Sequence, residues 1–164
     1  MRLVVVRHGV AIDRMDPACP PDPERFLTEE GIARTREAAS GLKALGVAPD
    51  LLLTSPYVRA VQTAEIVAEA LGVPKAEIRR TEALLPASAP DRLFRELAAA
   101  GAGEAICFGH APSVDLLLAR ALGVRLPFTA LKKAGAACVE LDALSPPKGR
   151  LLWLATPKAL RKLR

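Results

Sequence analysis

Three apolar runs in this chain stop abruptly at residues able to do chemistry. Leu3-Val4-Val5-Val6 gives way to Arg7-His8-Gly9, Leu51-Leu52-Leu53-Thr54 to Ser55-Pro56-Tyr57-Val58-Arg59, and Ala105-Ile106-Cys107-Phe108 to Gly109-His110. These endings hold both histidines of the chain together with two arginines. Planar guanidinium forks such as Arg7 and Arg59 match the oxygens of a phosphoryl group bidentately. They also neutralise charge on its equatorial oxygens as a bond to phosphorus breaks. An imidazole between two cations is biased toward its neutral form. Neutral histidine is a nucleophile and can carry a covalent intermediate. The chemistry that suits this set is phosphoryl transfer. A metal centre is the obvious rival, but two histidines beside two arginines would repel a cation, so no metal is expected.

For these residues to act together, the chain has to bring the endings to one place. Three valines in a row fit a strand buried on both faces, as in a parallel sheet. Parallel strands point the same way, and open α/β sheets bind ligands beyond the carboxyl ends of their strands. Between the strands lie helical stretches. Thr28-Glu29-Glu30 reads as a capped helix start, with Ile32, Ala39, Leu42 and Leu45 on one face and Gly46 at the end. Ser55-Pro56-Tyr57 leads into a helix whose inner face is Ala60, Ala64, Val67 and Leu71, closed by Gly72. Glu77–Arg80 reads as an edge strand. Pro90 opens a helix carrying Leu93, Phe94 and Leu97, and Pro112-Ser113 opens another through Leu122. Ala136–Leu141 and Leu151–Ala155, joined by residues 145–149, read as an antiparallel hairpin. The alternation predicts a three-layer α/β/α sandwich with a mostly parallel sheet and a C-terminal antiparallel hairpin. Residues 1–164, without repeat or linker, are expected to form one domain.

Composition narrows the partners. A net charge of +5 favours anions of any kind, but aromatics make up only 4% of the chain, too few for base stacking, and no nucleic-acid motif is present. The basic tail Lys158, Arg161, Lys162 and Arg164 reads as a solvated final helix. No apolar run approaches the roughly 18 residues of a membrane span, and the first one runs straight into charge, unlike a signal peptide. Cys19, Cys107 and Cys138 are odd in number and lack metal-type spacing. A cytoplasmic protein with neither nucleic-acid nor membrane partner is expected.

Taken together, the motifs resemble those of the histidine phosphatase superfamily, the phosphoglycerate mutase-like fold. Leu3-Val4-Val5-Val6-Arg7-His8-Gly9 resembles the family's opening. Ser55-Pro56-Tyr57-Val58-Arg59-Ala60-Val61-Gln62-Thr63-Ala64 resembles its second motif, and Gly109-His110 its third. Arg25-Phe26-Leu27-Thr28-Glu29-Glu30-Gly31 fits its first loop-to-helix junction. The resemblance spans nearly the whole chain in the expected order and is strongest to the small SixA-type phosphohistidine phosphatases. It implies that His8 is the phosphorylated nucleophile, that Arg7, Arg59 and His110 complete the phosphate pocket, and that no metal or other cofactor is used. Gly9, where the backbone can approach a ligand closely, and Arg25 join the expected substrate-binding residues.

Many larger members of that family carry a glutamate acid after the third strand, within an inserted segment that closes over a small substrate. Thr81-Glu82-Ala83-Leu84-Leu85-Pro86 stands in that region here, and the stretch to Pro90 is short. Glu82 is therefore the candidate acid, set against its reading as a solvated strand-end charge. The lack of an acid would have a physical meaning. An alkoxide leaving group has a conjugate acid near that of water, about 15.7, whereas imidazole leaves neutral with a pKa about 6.5. The gap of about nine units is roughly 12 kcal/mol between products, of which the transition state feels a part. Phosphohistidine can dispense with an acid that a sugar phosphate needs. The expected activity is thus a metal-independent phosphatase acting on protein phosphohistidine. The alternatives are a phosphatase of a small phosphomonoester and a non-catalytic phosphate-binding module. Whether the loop Val10–Phe26 closes on substrate is left open.

Overall fold

A computed structural model describes residues 1–163. Arg164, the last residue of the basic tail, lies outside the described residues. Strands β1 (Arg2–Arg7), β2 (Leu51–Thr54), β3 (Ile78–Arg80), β4 (Glu104–Gly109), β5 (Ala136–Leu144) and β6 (Pro147–Ala155) form one sheet in the order β3-β2-β4-β1-β5-β6. β1, β2, β3 and β4 pair in parallel, while β5 runs antiparallel to both β1 and β6. The helices are α1 (Glu29–Ala44), α2 (Val58–Leu71), α3 (Pro90–Ala100), α4 (Ser113–Ala121) and the short α5 (Pro157–Leu160).

The valine run shows why the sheet needs a helical layer on each face. Successive side chains of a strand point to opposite sides. Leu3 and Val5 pack with Leu93, Phe94 and Leu97 of α3 and Leu118 of α4. Val4 and Val6 pack with Ala39 and Leu42 of α1 and Ala64 and Val67 of α2. The side chains of Leu3, Val4, Val5 and Val6 are all buried, so this part of β1 is apolar at every position. The expected three-layer α/β/α sandwich with its antiparallel hairpin is the observed architecture. The thiols of Cys107 and Cys138 are buried within these layers as small apolar groups.

Element ends follow local chemistry. The Thr28 hydroxyl accepts the Gly31 N–H at 3.0 Å and caps α1, with Glu29 and Glu30 in the first turn. α2 stops at Gly72, whose φ of +76° is left-handed and cheap only for glycine.

Four expectations are corrected in detail. Leu45 does not lie on the inner face of α1: the helix ends at Ala44, and the side chain at its cap is exposed. The strand expected over Glu77–Arg80 begins at Ile78, because Lys75–Glu77 form a 3₁₀ turn. The hairpin strands are longer than expected, with Leu144 paired to Pro147 across a turn at Ser145-Pro146. A proline is accommodated there because it is the first residue of an edge strand. Finally, the tail is more than a solvated helix. Leu160 is fully buried, and Gly41 of α1 lies so close that a side chain there would meet the Leu160 carbonyl.

The segment 10–26 is tied at its base. Ala11 and Leu27 form an isolated antiparallel bridge, the Ile12 N–H donates to Phe26 O at 2.9 Å, and Asp22–Glu24 form a 3₁₀ turn. That turn leans over the carboxyl end of the sheet.

Candidate active site

The three strand endings meet, and the backbone ladder continues into them. Arg7 is paired with Gly109, the His8 N–H donates to Gly109 O at 3.0 Å, and the Ser55 N–H donates to Phe108 O at 3.0 Å. His8 and His110 are thereby neighbours, with ring centroids 5.1 Å apart. Arg59 enters from the first turn of α2. Its side chain lies over the Tyr57 ring, 5.0 Å from the centroid, and is buried. A cleft of about 370 Å³ opens here, lined by Arg7, His8, Arg59 and His110.

The hydrogen bonds of His8 assign its protons. Nδ1 lies 2.7 Å from the Gly9 carbonyl oxygen, which can only accept, so Nδ1 carries the hydrogen. Nε2 lies 3.3 Å from Arg59 Nε, which can only donate, so Nε2 presents its lone pair. Burial, followed by the charges of Arg59, Arg7 and Lys133, lowers the His8 pKa from 6.5 to about 3, against an upward pull from the Gly9 carbonyl. His110 is also lowered to about 3, by burial and then by His8 and Arg59. Both rings are neutral at physiological pH.

The second layer of contacts comes from α2. The Thr63 hydroxyl donates to the Arg59 carbonyl at 2.7 Å and accepts the Gly9 N–H at 3.0 Å. The Gln62 carbonyl oxygen accepts the Leu27 N–H at 2.7 Å. One helical face therefore presents Arg59 to the cleft and ties down the two loops beside it. Gly9 packs so closely on Thr35 that a side chain there would collide with its hydroxyl. His110 Nε2 lies 2.8 Å from the Ser55 hydroxyl. Its Nδ1, like Arg7 Nε, is buried without a hydrogen-bond partner.

Such a site, a neutral nucleophilic nitrogen ringed by arginines at the end of a parallel sheet, can be compared with known proteins. The family described as histidine phosphatase superfamily (branch 1) matches residues 3–85, about half of the chain. The chain belongs to the histidine phosphatase superfamily. The fold of a solved protein histidine phosphatase SixA, in a complex with tungstate, is similar over 98% of this chain and 99% of that one, with a TM-score of 0.85 and 29% identity. A putative phosphohistidine phosphatase SixA from Agrobacterium tumefaciens shares the fold at a TM-score of 0.78 and 22% identity, over 95% and 97% of the two chains. A 2,3-bisphosphoglycerate-dependent phosphoglycerate mutase of Beijerinckia indica is 37% identical over 82 residues, 50% of this chain and 40% of that protein. The match thus spans about two fifths of the length of such curated relatives.

In this cleft the structure brings together Arg7, His8, Arg59 and His110, with Gly9 at the turn after His8. Arg25 also lines the cleft, but its guanidinium is engaged: Nε and Nη2 donate to Ile12 O at 3.1 and 2.7 Å, and Nη1 to Asp22 Oδ1 at 3.1 Å. Glu82 is not brought in. Its side chain is 73% exposed, pairs with Arg92 at 3.5 Å and does not line the cleft. The carboxylate that does line it is Asp13. Among the described residues, no group of three or more His, Cys, Asp or Glu side chains is placed to hold a metal ion. No described helix is long and apolar enough to cross a membrane.

Asp22 and Lys133 escaped the sequence reading. Arg59 Nη1 donates to Asp22 O at 2.5 Å, and Nη2 to Asp22 Oδ2 at 3.2 Å. Burial raises the Asp22 carboxyl, but hydrogen bonding from Arg25 and the charge of Arg59 outweigh it and hold the group ionised. Lys133 lines the cleft from the turn before β5. Because β5 is antiparallel to β1, its amino end, not its carboxyl end, lies at the active edge. Thr63 and Gln62 were within reach of sequence reasoning. They stand four and three residues after Arg59, on its face of a helix.

Proposed function

We propose that this chain is a phosphatase that transfers a phosphoryl group from protein phosphohistidine to His8 and then to water. One observation carries the reading: the His8 ring is held by the Gly9 carbonyl at Nδ1 and by Arg59 at Nε2, which leaves Nε2 unprotonated at the cationic end of the sheet. In the first step Nε2 bonds to phosphorus while the bond from phosphorus to the substrate nitrogen breaks. If the far nitrogen of the substrate ring already carries a proton, the substrate departs as neutral imidazole. Arg7 and Arg59 balance the charge spreading over the phosphoryl oxygens. Arg7 Nε is a buried N–H donor without a partner and His110 Nδ1 a buried ring nitrogen without one, and both residues line the cleft. In the second step water attacks phosphorus, releasing inorganic phosphate and restoring the lone pair on Nε2. No step draws on a metal or other cofactor.

The likeness to SixA over nearly the full chain at 29% identity supports the phosphohistidine substrate, and its tungstate complex shows that protein binding a tetrahedral oxyanion. The outward placement of Glu82 agrees with a leaving group that needs no acid. A second reading, a phosphatase of a small phosphomonoester, is favoured by Asp13, a carboxyl that lines the cleft.

The test is a side-by-side hydrolysis assay of phosphohistidine protein, p-nitrophenyl phosphate and sugar phosphates, each with and without EDTA. Phosphohistidine protein should be turned over fastest, and chelator should change nothing. His8→Ala should abolish turnover, and an acid quench-free trap should find the phosphoryl label on His8. Label on another residue, or strong chelator inhibition, refutes the mechanism.

A further inference from the structure

Resting on the reading of His8 as phosphoryl acceptor, we infer that Lys133 forms a second anion subsite, which binds a carboxylate or second phosphate carried by the substrate beside its phosphoryl group. The cleft is lined by Arg7, Arg14, Arg25, Arg59 and Lys133 against the single carboxylate Asp13. A phosphoryl group needs Arg7 and Arg59. Arg59 shares Asp22, at 3.2 Å, with Arg25 and Arg14, which pair with it at 3.1 and 3.2 Å. Lys133 alone of these five makes no hydrogen bond or ion pair to the described residues. Burial, then the positive charges of Arg7 and Arg25, disfavour its charged form, and the Asp13 charge opposes them without reversing the balance, so an arriving anion relieves the arrangement.

The backbone that carries the exposed Lys133 side chain is a fixed part of the site. The Ala134 N–H donates to both Arg7 O, at 3.0 Å, and His8 O, at 3.1 Å. Arg7 N donates to Gly135 O at 3.1 Å, and Arg7 Nη1 to Leu131 O at 2.7 Å. Residues 131–135 are thus laced to the dipeptide that carries the nucleophile. Ala134 has a φ of +62°, and it is the one non-glycine residue among those described with a positive φ. The alanine Cβ crowds the backbone in that conformation, so the turn is held against a local penalty. Through it the Lys133 side chain is set on the cleft wall beside Arg7.

The shared chemistry could come from an acidic residue flanking phosphohistidine in a protein, or from a second anionic group on a small phosphoester. Calorimetry on the full chain with methylphosphonate and phosphonoacetate tests the subsite without turnover, because the second ligand adds only a carboxylate. Wild type should prefer phosphonoacetate by about tenfold, as one charge-assisted contact allows. Lys133→Met should cut that preference below about twofold, and Lys133→Arg should keep most of it. Equal affinity of wild type for the two ligands, or an undiminished preference in Lys133→Met, overturns the proposal. Turnover of phosphohistidine peptides flanked by Glu or Gln, and of phosphoesters with and without a carboxylate, then assigns the source; a Lys133-dependent preference in either pair supports the subsite. Failure to hydrolyse any of them refutes the phosphatase reading, while the ligand preference still decides the role of Lys133.

Discussion

Arg59 donates its Nε–H to the very nitrogen of His8 that carries the lone pair, across 3.3 Å. That bond orients the ring and opposes its protonation. It also means that Arg59 has three engagements, because its two Nη atoms hold the backbone and carboxylate of Asp22.

Arg59→Lys should therefore be nearly as damaging as Arg59→Ala. A lysine keeps the charge but has no planar fork and no Nε–H to aim at His8. The expected loss is on the order of a hundredfold in kcat, the usual scale for a preorganised donor. Steady-state kinetics on p-nitrophenyl phosphate check it, and near-normal turnover of the lysine variant would show that charge alone matters.

The chain has only two histidines, so nitrogen-resolved NMR can follow both rings without ambiguity. Neither should titrate near 6.5, since each is lowered to about 3. The sign for stability follows. Between pH 6.5 and about 3 the unfolded chain binds protons that the folded chain refuses, so stability falls on acidification. Each ring contributes a slope of up to about 1.4 kcal/mol per pH unit in that window. Denaturant melts at pH 7, 6 and 5 measure it, and a flat response would contradict the buried, neutral pair.

Glu82→Gln should leave turnover of phosphohistidine, aryl and alkyl phosphates within a few-fold of wild type. A working general acid contributes about 10²–10⁴-fold, and an exposed carboxylate paired with Arg92 is not in position to do so. Aryl phosphates should exceed alkyl phosphates by a wide margin, because a phenolate with pKa about 10 leaves more readily than an alkoxide. Asp13→Asn is the informative companion. A loss of a hundredfold confined to the alkyl ester would make Asp13 the acid and favour the small phosphoester.

Thr63→Val keeps the shape of the side chain and removes its hydroxyl. The buried Gly9 N–H then loses its acceptor, at a cost of about 1–3 kcal/mol. Thermal melts should show the loss, and kcat should fall with it because the turn after His8 is no longer held. An unchanged Tm would mean that Gly9 finds another partner.

Much of this protein could be read from the chain because the signals are local. A run such as Leu3-Val4-Val5-Val6, apolar at every position, needs a layer on both faces, and the rule that parallel strands share a carboxyl edge brings Arg7, His8, Arg59 and His110 together. Three features were decided only by the folded chain. Glu82 was adjacent to the site in sequence yet turns outward, because the 3₁₀ turn that begins with it buries Ala83 and Leu84 instead. Asp22 lies 37 residues from Arg59 and meets it only because the 10–26 segment is pinned at its base. Lys133 reaches the cleft because an antiparallel strand presents its opposite end at that edge. Periodicity and capping depend on neighbours a few residues apart and are written along the chain. Which distant charge fills a cleft depends on strand direction and on the path of a loop, and those exist only once the sheet has formed.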